Sequence, residues 1–235
     1  MGKKTGILLL AAAAIFIILP GVAMAQSLEL GLNAFGGLAG GTTDNSSKTG
    51  SLGPTFGGGM EVTFYFVDLG GFRIGLSSGL EYAYQAYQYK QPLSVPFLGD
   101  TDLTAYAKYS YLTIPVTAKG ALKLTDALAL TLDAGAYFGV FLGGKSQNTW
   151  DPEIPLAQLT DGEANLDDSN TPSADIGLRF ALGVDIEVVK NLLLSPGVLF
   201  DFGLSDITKD VELIPNARDT FWRLAAGVAI VYRLF

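Results

Sequence analysis

The stretch ADIGLRFALGVDIEVV, residues 174–189, alternates along its whole length. Ile176, Leu178, Phe180, Leu182, Val184, Ile186 and Val188 are apolar, while Asp175, Gly177, Arg179, Ala181, Gly183, Asp185 and Glu187 between them are small or charged. A period of two puts the first set on one face of a β-strand and the second on the other. Strands of about five or six residues are usual, so a run of this length asks for an unusual setting.

The pattern recurs. Eight segments carry it, at 27–40, 55–68, 71–87, 104–124, 127–143, 173–189, 191–205 and 219–235, with the apolar residues at even positions. In 71–87 these are Phe72, Ile74, Leu76, Leu80, Tyr82 and Tyr84, opposed by Arg73, Gly75, Ser77, Gly79, Glu81 and Gln85. In 219–235 they are Trp222, Leu224, Ala226, Val228, Ile230 and Tyr232, opposed by Arg223, Gly227 and Arg233. The segments exceed the roughly 9–11 tilted residues that cross a bilayer.

The connections alternate as well. Val67–Gly71, Thr125–Ala127 and Lys190–Asn191 read as tight turns, and 41–54, 88–103, 144–172 and 206–218 read as long polar loops. Short turns at one end and long loops at the other are the layout of an up-and-down barrel in an outer membrane. Backbone polar groups in lipid need partners within the protein, and a closed barrel supplies them without an edge strand. The expected fold is therefore all-β, an eight-stranded antiparallel up-and-down transmembrane β-barrel over 26–235.

A lipocalin-like barrel or a β-sandwich would turn the apolar face inward. Two features oppose that. The polar face is rich in Gly and poor in charge, unlike a solvated surface. Aromatic residues also gather near strand ends: Tyr82, Tyr84, Phe200, Phe202 and Trp222 towards one rim, Phe64, Phe66, Phe72 and Tyr232 towards the other. Two such girdles are expected where a barrel meets both membrane interfaces, with outer-membrane lipids as neighbours.

The N-terminus fits export. Lys3 and Lys4 precede an uninterrupted apolar run from Ile7 to Leu19, then Pro20-Gly21 and the small-x-small site Ala23-Met24-Ala25. This predicts a signal peptide over 1–25, too short for a membrane anchor. Without its two lysines the 15 basic residues become 13 against 23 acidic, a net charge of −10. So acidic a chain is not suited to nucleic acid. The sequence has no Cys, which fits an exported protein that folds without disulfides, and no His, which removes His-based triads, His general bases and His-ligated metals. No enzymatic activity and no cofactor are expected.

Inward odd positions hold Glu29, Glu61, Glu81, Asp133, Asp185, Glu187 and Asp201, and also Arg73, Lys119, Lys123, Arg179, Arg223 and Arg233. The signs nearly cancel. Buried charges need partners, so the main reading is a plug of paired charges with Tyr137 and Phe141 filling gaps, and Arg179 with Asp201 or Glu81 as mid-barrel pairs. The same lining in an open lumen would make a narrow ion path. Near Lys108, Tyr109 and Tyr111 the fourth segment calls for a bulge or an exit from the bilayer, and Pro115 for a local irregularity.

The third loop carries Asp161, Glu163, Asn165 and Asp167 at alternate positions, a weak match to a hard-cation site because its Gly is misplaced for a calcium loop. A solvated acidic loop is the simpler reading.

The stretch YSYLTIPVTAKGALKLTDALALTLDAGAYFGVFLGG, residues 109–144, resembles the PorT-like outer-membrane β-barrel family, among the small OmpA- and OmpX-like barrels. The Tyr-Leu-x-Ile-Pro run, the following Lys, the short turn and the Leu-rich strand with Ala-Gly carry the resemblance. It implies a small bacterial outer-membrane barrel and no particular reaction. The C-terminal VYRLF is similar to an outer-membrane insertion signal, implying the assembly machinery as a partner, although Phe235 falls out of phase with outward Tyr232 and Leu234. The expected role is structural or surface-exposed, with outer loops meeting an extracellular ligand. The alternatives are a small pore for ions or solutes, and an adhesin working through the acidic third loop.

Overall fold

The computed structural model describes residues 27–43, 49–95, 99–151, 162–166, 174–206 and 219–235, so the signal-peptide reading of 1–25 lies outside the described residues. Nine strands are present among them: β1 (Ser27–Thr43), β2 (Thr49–Asp68), β3 (Phe72–Val95), β4 (Gly99–Lys123), β5 (Leu128–Asp151), β6 (Gly162–Leu166), β7 (Ala174–Val189), β8 (Leu192–Gly203) and β9 (Asp219–Arg233). All pairings are antiparallel. β5 pairs with β7, bypassing β6. β9 returns to β1 from Glu29↔Arg233 to Thr43↔Asp219 and closes a ring of eight. β6 is an addition to the upper part of β5, from Gly144↔Leu166 to Asn148↔Gly162.

The long loops are shorter than the sequence suggests. β3 and β4 stay paired to Val95↔Gly99 where 88–103 reads as loop, β5 continues to Asp151, and β1 and β2 reach Thr43 and Thr49. The alternation weakens there because strands that have left an apolar layer no longer need an apolar outward face, while ladder pairing continues. Among the described residues, β3, β4, β5 and β6 rise into a wall on one side of the barrel, and the strands opposite end lower. We refer to the tall end and the turn end.

At the turn end, Gly70 has φ +79° and donates its N–H to Asp68 Oδ1 at 2.8 Å. Asn191 takes φ +66° in the two-residue β7–β8 turn, a conformation Asn tolerates better than most residues.

Odd positions face inward around the ring, and even positions expose Leu30, Leu32, Leu132, Ile176, Phe180, Leu182, Leu224 and Ile230 among others. The apolar belt runs over Phe72–Tyr82, Leu122–Leu112 and Leu130–Val140, which lie side by side in register. About eleven residues in each match a tilted crossing.

Two of the ladder irregularities involve β4. The β4–β5 register shifts between Ser110↔Gly143 and Tyr111↔Phe141, so the expected bulge exists but its extra residue is on β5. Beyond it β5 reverses parity, and odd residues such as Lys145 turn outward. Opposite Pro115, β3–β4 pairing is interrupted between Ser78↔Val116 and Glu81↔Thr113, as a residue without an N–H requires. Ser78 Oγ uses the Pro115 carbonyl instead, at 2.9 Å.

Candidate functional site

The lumen is filled in layers. At the turn end Glu29, fully buried, accepts from Arg73 Nη1 and Arg233 Nε, both at 3.0 Å. Arg73 also lies 4.1 Å over the buried ring of Tyr65, and Arg233 is 3.8 Å from Glu187. Below them a cavity of about 410 Å³ opens at the turn end, lined by Arg73, Lys123, Asp126, Glu187 and Phe235 among others. Lys123 lines the mouth of this cavity and not the closed interior. Its side chain is 53% exposed at the mouth and pairs with Asp126 of the turn at 2.7 Å, because β4 ends there and the ammonium reaches water.

In the next layer Lys119 donates to Glu61 at 2.9 Å, and Thr63 supplies a second bond at 3.1 Å. Thr117 donates to Asp133 at 3.3 Å and Ser195 to Asp185 at 2.7 Å. All of these except Thr63 border a cavity of about 130 Å³.

The middle layer is a closed charge quartet. Arg179 sits opposite Asp201 in register and binds it with two parallel bonds, Nε–Oδ1 at 2.8 Å and Nη2–Oδ2 at 3.0 Å. Its Nη1 reaches Glu81 at 2.8 Å. Arg223 Nε donates to Asp201 at 2.6 Å, and its guanidinium lies 4.9 Å over the Phe35 ring. Asn33 adds a 3.3 Å bond to Glu81. Two cations and two anions leave no net charge, and the forked Arg geometry meets the carboxylates with directed bonds.

Above it, Tyr137 donates to Asp175 at 2.9 Å. Tyr87, Tyr109, Tyr111, Phe141 and Phe221 then pack as one aromatic cluster, with Tyr109–Phe221 centroids at 4.9 Å and Tyr111–Phe141 at 5.6 Å. Leu166 of β6 packs against the same cluster. Between quartet and cluster lies a cavity of about 10 Å³, room for a single water.

Asn33, Phe35, Tyr65, Tyr87, Asp175 and Phe221 also belong to the lumen, and sequence reasoning does not single them out. All are odd-numbered, so parity alone is the available signal.

Of the girdle residues, Phe66, Phe72, Tyr82, Phe200, Phe202 and Tyr232 are exposed on the outward face. Tyr84 is half-buried and stacks on Phe56 at 4.6 Å. Trp222 is half-buried because its indole covers Gly40, where a Cβ would meet the ring at 2.8 Å. Phe64 departs from the reading: it is only 5% exposed, flanked in register by Leu28 and Leu76.

The weak cation-site match in the third loop involves four residues, Asp161, Glu163, Asn165 and Asp167. Asp161 and Asp167 lie outside the described residues, and Glu163 forms an ion pair with Lys145. Among the described residues no group of acids is arranged to hold a metal ion.

A closed ring of tilted strands, apolar outside and charged inside, defines a membrane-spanning β-barrel. The chain belongs to the outer membrane protein β-barrel domain family, whose model matches residues 24–209, and this places it in the outer membrane. In such barrels short turns face the periplasm and long loops the exterior. No curated protein matches the chain in sequence. Similar solved structures include a major outer membrane protein from Thermus thermophilus, at 15% identity over 88% of this chain and 99% of that one with a TM-score of 0.44. The outer membrane protease OmpT from Escherichia coli is similar at 9% over 89% and 97%, TM-score 0.43. Neisserial surface protein A is similar at 13% over 86% and 96%, TM-score 0.37. All three likenesses are distant.

Proposed function

We propose that this protein is a non-conducting, non-enzymatic anchor that displays the wall of β3–β6 outside the cell as a recognition surface. The single observation that carries this is the filled lumen. The quartet of Glu81, Arg179, Asp201 and Arg223 and the aromatic cluster above it lie across the path from the turn-end cavities to the tall end. Ions crossing would have to break fully desolvated pairs, an expensive step. Within the broader family, the 109–144 stretch favours the PorT-like group.

The test is single-channel recording of the purified protein in a planar bilayer, with folding verified by a heat-dependent gel shift. A silent bilayer is expected. Steady discrete steps from folded protein would overturn the anchor reading and favour a small pore.

A further inference from the structure

We propose that Lys108 and Lys145 form a binding site for the phosphorylated headgroup of an outer-leaflet glycolipid.

The argument begins with where the chain spends its cations. Among the described residues, Arg73, Lys119, Arg179, Arg223 and Arg233 point into the barrel, and Lys123 and Lys190 stand at turns. Only Lys90, Lys108 and Lys145 remain on the outward face. Two of these three are placed directly opposite each other, as Lys108↔Lys145 in the β4–β5 ladder. Like charges directly opposite on neighbouring strands are destabilising unless something offsets them.

The apposition is built by the bulge. Below it, odd residues of β5 such as Tyr137 and Phe141 point inward. The extra residue Leu142, followed by Gly143 with a φ of +155° that L side chains rarely adopt, reverses that parity. Lys145 is thereby turned out of the lumen and set beside Lys108.

Depth selects the occupant. The apolar belt ends at Leu112, Val140 and Leu142, and Lys145 is three residues beyond Leu142. With about 3.3 Å per residue and a strand tilt, this puts the ammonium groups in the headgroup layer that flanks the hydrocarbon core. Tyr82 and Ser110, whose hydroxyls are 3.0 Å apart, lie just beneath and offer further donors. Lys108 sits 5.2 Å over the Tyr106 ring, which holds it against the barrel wall. Glu163 pairs with Lys145 and also feels the charge of Lys108, so the three groups together keep one net positive charge. A phosphate bridging both ammonium groups would satisfy the rest.

The experiment is native mass spectrometry of the purified protein in mild detergent with a bisphosphorylated glycolipid, its dephosphorylated form and inorganic phosphate. The phosphorylated lipid is expected to stay bound. Lys108→Gln with Lys145→Gln should weaken it by roughly tenfold or more, while Lys90→Gln leaves it unchanged and all variants keep their heat-dependent gel shift. Equal retention of the dephosphorylated lipid, or unaltered binding by the double variant, would overturn the site. Displacement of the lipid by millimolar inorganic phosphate would overturn the lipid as its source and leave a free-anion site.

Discussion

Arg179 and Glu81 are 98 residues apart in sequence and 2.8 Å apart across the lumen. The bond joins β7 to β3, strands that are not neighbours in the ring. It is a strut across the barrel, and Asp201 braces it from β8.

Removing the strut leaves buried acids without their partner. Arg179→Met should therefore destabilise the barrel by about 3–5 kcal/mol, the usual cost of breaking a buried pair from one side. Urea unfolding in detergent micelles measures it. Asp201→Asn with Arg179→Met should recover part of the loss, and no recovery would mean that the bonds are not coupled.

Trp222 reports on the outward face. Because its indole covers Gly40, Gly40→Val should push the ring away at a cost of about 1–3 kcal/mol. In a Trp150→Phe background the emission of Trp222 should change in wavelength. An unchanged spectrum would show that the ring does not rest there.

The aromatic cluster is the upper seal. Tyr109→Ala with Phe221→Ala removes two rings that touch at 4.9 Å and should cost several kcal/mol, about 3–5 for each large ring lost. The channel should nevertheless stay silent, because the charge quartet below remains. Adding Arg223→Ala should then admit small ions. Conductance after the first pair of substitutions alone would place the seal in the cluster.

The pin between β6 and β5 responds to acid. The hydrogen bond and charge of Lys145 hold the Glu163 carboxyl below its ordinary range. A carboxyl lowered by folding contributes stability that is complete above its unfolded value and is lost as pH falls through the folded one. A spin label at Asn165 should thus stay ordered at neutral pH and loosen on acidification below the ordinary glutamate range. Glu163→Gln should be loose at both. Identical label motion at all pH values would exclude the pin.

Most of the barrel is legible in the sequence because lipid imposes a strict rule. Nearly every outward residue of the crossing is apolar, Ser78 being an exception that bonds the Pro115 carbonyl, so parity separates Leu182 from Arg179 and locates eight strands. The rule lapses where the strands leave the apolar layer. That is why the upper parts of β3, β4 and β5, and β6 altogether, read as loops. Parity also names the lining without naming partners. Arg179 with Asp201 needs the β7–β8 register, and Lys145 needs a bulge that reverses its side. Phe64 escapes the reading because outward parity does not measure how much its leucine neighbours cover.

The seam of the ring joins the first strand to the last, with Glu29 and Arg233 bonded across 204 residues of chain. A ribosome adding about 5–20 residues per second needs roughly ten seconds or more between making β1 and making its partner. Until β9 pairs with it, β1 has one unpaired edge. Closure thus waits until β9 has been made. A nonsense mutation within β9 would yield an unsealed ribbon prone to sticking edge to edge, not a slightly smaller barrel.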